Sequence, residues 1–141
     1  DTVAEVAGAP VPTGSDGLDM TRNRRSAKVA GAKFERSIAN YLAEILDDER
    51  IDRRVKRGAN DRGDIAGVRV HGQRVAIEAK NCSKLDLPGW VREAQAECGN
   101  DDALVGVVVH KRRGTTDPGS QWVSMELRDL VALLTGQGWQ Q

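Results

Sequence analysis

The chain has 141 residues, 30% charged and 39% hydrophobic, which suits one soluble globular domain rather than two. Its longest strongly apolar run, Ala103 to Val109, is broken by Gly106 and far too short to span a bilayer, and no basic segment leads into an apolar stretch near the start. Neither a membrane span nor a secretory leader is therefore expected. The net charge of zero is unevenly built: residues 1 to 20 carry four acids and no base, residues 22 to 62 twelve bases and seven acids, residues 63 to 141 nine bases and ten acids. A neutral total is thus compatible with a local basic surface for a polyanion.

Residues 1 to 25 are rich in Gly, Pro, Ala and Asp without a sustained period and read as a flexible tail. Met20, just ahead of the basic TRNRR, is expected near the natural start. The first helix is predicted from Ser26 or Ala27 to Leu46, because Phe34, Ile38, Tyr41, Leu42 and Ile45 share one face and Ser26 suits the N-cap. Gly31, which costs a helix about 1 kcal/mol relative to Ala, is explained by close approach to a sheet. Strands follow at about 51–57, 64–70 and 74–80. Asp86-Leu87-Pro88-Gly89 reads as a helix start, and that helix runs to about Glu97 and stops near Gly99.

ALVGVVVH, residues 103 to 110, is a nearly continuous β-branched run and predicts a strand buried on both faces. KRRGTTDPGS is expected to be a mobile basic loop and WVSM a short strand. Leu127, Leu130, Val131 and Leu134 mark a closing helix ended by Gly136, with a tail at 137–141. The order αβββαββα gives one domain over 26–136, an α/β fold with a central mixed β-sheet flanked by helices. Cys82 and Cys98 lie in no Cys-x-x-Cys pair, and His71 and His110 are not at zinc-ligand spacing. Two reduced thiols in a reducing cytoplasm are expected.

The stretch GDIAGVRVHGQRVAIEAKN, 63 to 81, alternates, turns at a glycine and alternates again. Glu78 and Lys80 share a face, roughly 7 Å apart along the strand, while Val75, Ile77 and Ala79 take the other. Asp64 depends on register. A two-residue turn at His71-Gly72 would set it opposite Ala79, facing away from Glu78. A three-residue loop, or an equivalent bulge, would set it opposite Glu78. The second arrangement is predicted, because it alone builds a site: two facing carboxylates repel unless a cation lies between them, and hard oxygens suit Mg²⁺ where a substrate brings phosphate. Against this stands the plain alternative of a surface hairpin with an exposed Glu-Lys pair.

The arrangement GD followed by IEAK resembles the PD-(D/E)XK nuclease superfamily. GAKFERSIANYLAEIL and RRVKRGANDRGDIAGVRVHGQRVAIEAKN are similar more particularly to archaeal-type and phage-borne Holliday junction resolvases, over roughly residues 28 to 110. The resemblance implies a restriction-endonuclease-like αβββαβ core. It makes Asp64 and Glu78 metal ligands, together with the Ala79 backbone carbonyl. Glu35 on the first helix would hold metal directly or through water, Lys80 would orient or activate the attacking water, and Gln95 would support the site. Mg²⁺ is the expected cofactor, with Mn²⁺ able to substitute. Gly63 stands where the motif has proline, and the loop before Asp64 lacks the family's hydroxyl residue, leaving Asn60 as a substitute.

Taken alone, Glu35 is also an ordinary exposed helical acid. The basic run RIDRRVKRGANDR reads either as a protected edge strand or as a phosphate-contacting rim of Arg53, Arg54, Lys56, Arg57, Asn60 and Arg62, with RNRR (22–25) and HKRRG (110–114) as extensions. Trp90 and Trp122 are expected in core or dimer packing rather than base stacking, and Trp139 in a frayed end. The resemblance implies a Mg²⁺-dependent endonuclease that resolves four-way DNA junctions as a homodimer, in the cytoplasm of a prokaryote or phage-infected host. The alternatives are a nuclease of the same scaffold acting on duplex, flap or single-stranded DNA, and a branched-DNA-binding module without catalysis.

Overall fold

The computed structural model describes residues 16–55 and 62–139. Among them the chain forms α1 (Asp16–Ile45), β1 (Asp52–Arg53), β2 (Ile65–Ala66), β3 (Arg69–Val70), β4 (Gln73–Lys80), α2 (Leu87–Asn100), β5 (Val105–His110), β6 (Trp122–Ser124) and α3 (Leu127–Thr135). The six strands make one mixed open sheet in the order β1-β2-β4-β5-β6, with β3 also paired to β4. β4 and β5 run parallel, linked by α2 as crossover, and the remaining pairs are antiparallel. The result is the α/β class that the element order predicts.

Alternation along β4 divides the core. Val75, Ile77 and Ala79 face α1 and pack with Phe34, Ile38, Val105, Val107 and Val109, and Ala132 of α3 joins them. The other face meets α2, where Trp90 and Ala94 cover Val108. β5 is buried along its whole length, as a central strand with a helix on each side must be. Asp86 caps α2, its carboxylate accepting from the Gly89 N–H at 3.2 Å. Cys82 and Cys98 are free thiols, and burial pushes the Cys98 thiol up to about 11, with Asp129, Asp101 and Asp102 adding to the shift. No helix among the described residues is long and apolar enough to cross a membrane.

Several boundaries differ from expectation. α1 begins at Asp16, inside the stretch read as a tail. No proline lies between Ala27 and Asp16, and a helix already nucleated propagates easily through Arg, Met and Leu. Gly31 makes no close approach, since nothing lies within 4 Å of where its Cβ would stand. β1 is confined to Asp52–Arg53, and residues 56 and 57 of the longer strand expected lie outside the described residues. The strand expected over 64–70 is split in two at Gly67. The basic loop after β5 carries its own hydrogen bonds, with Lys111 Nζ donating to the Thr115 carbonyl at 2.5 Å and Asp117 accepting from Gly119 N and Ser120 Oγ.

Candidate functional site

Gly67 decides where Asp64 points. The turn at His71-Gly72 has two residues, both at positive φ (52° and 72°), and pairs Val70 with Gln73 and Arg69 with Arg74. The three-residue loop is not formed. Continued unbroken, that register would leave Asp64 beside Ala79. Gly67 interrupts it, at φ 92° and pressed so near the Arg50 carbonyl that a Cβ would stand 2.6 Å from its oxygen. Beyond this bulge Ile65 pairs with Ile77, a register moved by one residue, and Asp64 stands opposite Glu78. The equivalent bulge, rather than the longer turn, delivers the facing carboxylates.

Asp64 is 2% exposed and Glu78 5%. The Asp64 N–H donates to the Ile77 carbonyl at 2.8 Å, and its Oδ2 accepts from the Ala79 N–H at 2.8 Å. Two of the residues expected to act together are thereby locked to one another. Glu78 Oε2 meets Lys80 Nζ at 3.1 Å. Lys80 Nζ also reaches Glu93 on α2 at 3.1 Å. Glu78 Oε1 is buried and meets no hydrogen-bond donor.

The sequence reading did not find Glu93 and Glu97. They lie one helical turn apart on the face of α2 turned to β4, and with Glu78 they place ligand oxygens within 4.8 Å of one another. Glu97 is 2% exposed, and both it and Asp64 come within hydrogen-bonding reach of Glu78. The available signal was the i, i+4 acid pair itself, which is unfavourable on an isolated helix. The reading placed Gln95 in support instead. Gln95 faces α3, where its Nε2 donates to Asp129 Oδ2 at 2.5 Å.

Burial raises the Glu78 pKa most. A hydrogen bond from Glu97 and attraction to Lys80 work against it, repulsion from Asp64 adds to it, and the carboxyl is pushed up to about 7. For Lys80, burial acts to lower the pKa, but hydrogen bonds and attraction from Glu93 and Glu78 outweigh it and raise it. Lys80 is therefore an ammonium throughout the range in which Glu78 titrates. A hard divalent cation fits this donor set, because the ligands are carboxylate oxygens and those of Glu78, Glu93 and Glu97 lie within 4.8 Å of one another.

Other expected residues stand elsewhere. Glu35 lies on α1, whose apolar side covers the opposite face of the sheet, and it binds Arg53 at 3.1 Å. Arg54 is held by Asp101 at 3.2 Å. These two arginines of the expected rim are thus engaged within the fold. Arg62 is exposed beside Asp64, and Lys56, Arg57 and Asn60 lie outside the described residues. Gly63 has φ 102°, a conformation closed to proline, so its departure from the family motif is built into the backbone. Trp90 is in the core, but Trp122 is half exposed. Trp139 is anchored rather than frayed, its Nε1 donating to Asp129 Oδ1 at 2.6 Å.

Comparison with protein-family models, curated proteins and solved structures found no match to the chain.

Proposed function

We propose that the protein is a divalent-cation-dependent endonuclease whose site is formed by Asp64, Glu78 and Lys80 with Glu93 and Glu97. The observation that carries this reading is the bulge at Gly67, which turns Asp64 toward Glu78 and gathers buried carboxylates beside a lysine. A structural hairpin has no use for such a group, since burying several carboxylates together is unfavourable unless a cation compensates. Asp64, Glu78 and Glu97, and Glu93 at the rim, are the residues that would hold Mg²⁺ or Mn²⁺. When bound there, such an ion supplies Lewis-acid stabilisation of the charge that builds on a phosphate during hydrolysis.

The chain's own residues supply the rest. The Ala79 N–H fixes the Asp64 carboxylate. Glu93 and Glu78 keep Lys80 protonated and fix its position, so Lys80 acts as a donor that orients a water or a phosphate oxygen rather than as a base. The resemblance to junction resolvases names DNA as substrate, four-way junctions as the preferred form and the αβββαβ core as the scaffold. The order α1 to β5 is compatible with that core. A two-fold dimer would set two sites on a junction's two equivalent strands. Support for it comes from α3, whose Leu127, Leu130, Val131 and Leu134 form one exposed apolar stripe.

The test is strand-resolved cleavage in Mg²⁺ of an immobile four-way junction beside duplex, flap and single-stranded DNA, with a chelated control. Paired symmetric nicks in the junction alone support a resolvase. Equal cutting of the other DNAs keeps the chemistry and rejects junction preference. Absence of cutting in both Mg²⁺ and Mn²⁺ rejects the nuclease.

A further inference from the structure

A cleft of about 500 Å³, lined by Lys80 but by none of the acidic group, opens at the C-terminal ends of the parallel strands β4 and β5. That volume lies in the range of pockets that enclose a small organic group, about 300–1,000 Å³, and the carboxyl ends of parallel strands are where open α/β sheets hold ligands. Its floor is aromatic, made by Trp90 and His110 with their ring planes tilted by 53°. Trp90 and His110 meet with ring centroids 5.6 Å apart. His110 is tied to Ser124 Oγ at 2.7 Å, and burial lowers its pKa, so the floor is uncharged at neutral pH.

Trp122 stands at the cleft's edge with half its surface exposed, the Arg112 guanidinium 4.6 Å from its ring centroid. Lys111, Arg112 and Arg113 follow in sequence along the same wall; Lys111 Nζ donates to the Arg112 and Thr115 carbonyls and Arg113 to the Ser83 carbonyl, and among the described residues none of the three pairs with a carboxylate. An exposed indole beside unneutralised cations is the combination that binds an unstacked strand: the aromatic face takes a base of any sequence and the cations take its phosphates.

We propose that this cleft seats one unstacked nucleotide of the DNA strand, its base against Trp122 and its adjoining phosphates on Lys111, Arg112 and Arg113. The proposal rests on the nuclease reading, since Lys80 borders both the cleft and the acidic group, and it deepens that reading. The enzyme holds its strand with one base out of the stack, as a branch point or a single strand readily supplies and a continuous duplex resists.

The test uses full-length Glu78→Gln protein, to prevent cutting, and single-stranded and four-way-junction DNA carrying 2-aminopurine at one position at a time. Emission should change sharply at one position relative to its neighbours, and Trp122→Ala should abolish that response and weaken binding roughly tenfold or more. Trp122→Phe should restore most of the binding. Arg112→Ala and Arg113→Ala should each lower the salt dependence of binding by about one unit. A uniform response along the strand with unchanged affinity in Trp122→Ala overturns the proposal. So does a Trp122→Ala protein that changes its oligomeric state but not its DNA binding, which makes Trp122 a subunit contact. A position-specific response in a protein whose wild type never cuts DNA removes the nuclease reading and leaves the cleft as a strand-binding site. Cutting without such a response does the reverse.

Discussion

Burial makes Glu78 hold its proton to higher pH than an ordinary glutamate does. Its carboxyl is pushed up to about 7 from the ordinary glutamate value of 4.5, chiefly by burial. Between those values the folded chain binds a proton the unfolded chain has released. Stability therefore falls as pH rises through that window and levels above it, by about 3 kcal/mol in all. Glu78→Gln removes the charge and should be more stable than wild type at pH 8 by most of that amount, with the gap shrinking toward pH 5. Urea melts at the two pH values check this, and a parallel pH dependence of the two proteins would reject the assignment. Gly63 gives a second residue-scale prediction. Its φ of 102° admits neither proline nor, without strain, alanine. Gly63→Ala should lower stability by about 1–3 kcal/mol with little change in the urea m-value, and Gly63→Pro by more. At this scale Asp64, Glu78 and Lys80 were legible because a strand's alternation is fixed by geometry. The bulge was legible only as one of two registers, since nothing local to Gly67 announces the Arg50 carbonyl that it must approach.

Across α2 the buried residues divide by function. Gln95 serves packing, meeting Asp129, which is fully buried and also receives the Trp139 indole N–H. Gln95→Ala should therefore cost about 1–3 kcal/mol of stability by depriving a buried carboxylate of a donor. It should leave the gain in melting temperature caused by Mg²⁺ or Mn²⁺ intact. Glu97→Gln should do the opposite, keeping stability at or above wild type and losing most of the cation-induced gain. Thermal melts with and without cation separate the two, and a similar loss of cation response in both variants would contradict this division. Glu93 and Glu97 are not legible in the sequence because a helix's facing depends on how it lies on the sheet, and the apolar signal on α2, from Leu87, Trp90, Val91, Ala94 and Cys98, is short. The strong elements, β4, β5 and the core of α1, were legible from period alone. The short ones were not, because β1, β2 and β3 have two paired residues each and owe their form to their neighbours.

For the molecule as a whole, the element order and the mixed sheet followed from the sequence, while the outward face of α3 did not. Its apolar residues repeat as a core helix's would, yet Leu127 is 75% and Leu134 73% exposed, and the buried side carries Asp129 and Ala132. The tie of His71 Nε2–H to the Leu133 carbonyl, at 2.7 Å, helps hold α3 in this orientation. A second copy of the chain is the proposed cover. Leu130→Glu with Leu134→Glu should then give a monomer that retains cation-dependent stabilisation, as sedimentation equilibrium and melts would record. A wild-type chain already monomeric at high concentration would reject the dimer.

The central claim is that the carboxylates around Glu78 form a divalent-cation site. The most direct measurement is calorimetric titration of Mn²⁺ into the protein at pH 7, in two buffers of different ionisation enthalpy. Because burial raises the Glu78 pKa and the carboxyl must ionise to act as a ligand, binding should release protons. The heats should differ between buffers accordingly, and that difference should vanish in Glu78→Gln. Absence of binding, or heats that match in both buffers and persist unchanged in Glu78→Gln, would contradict the claim.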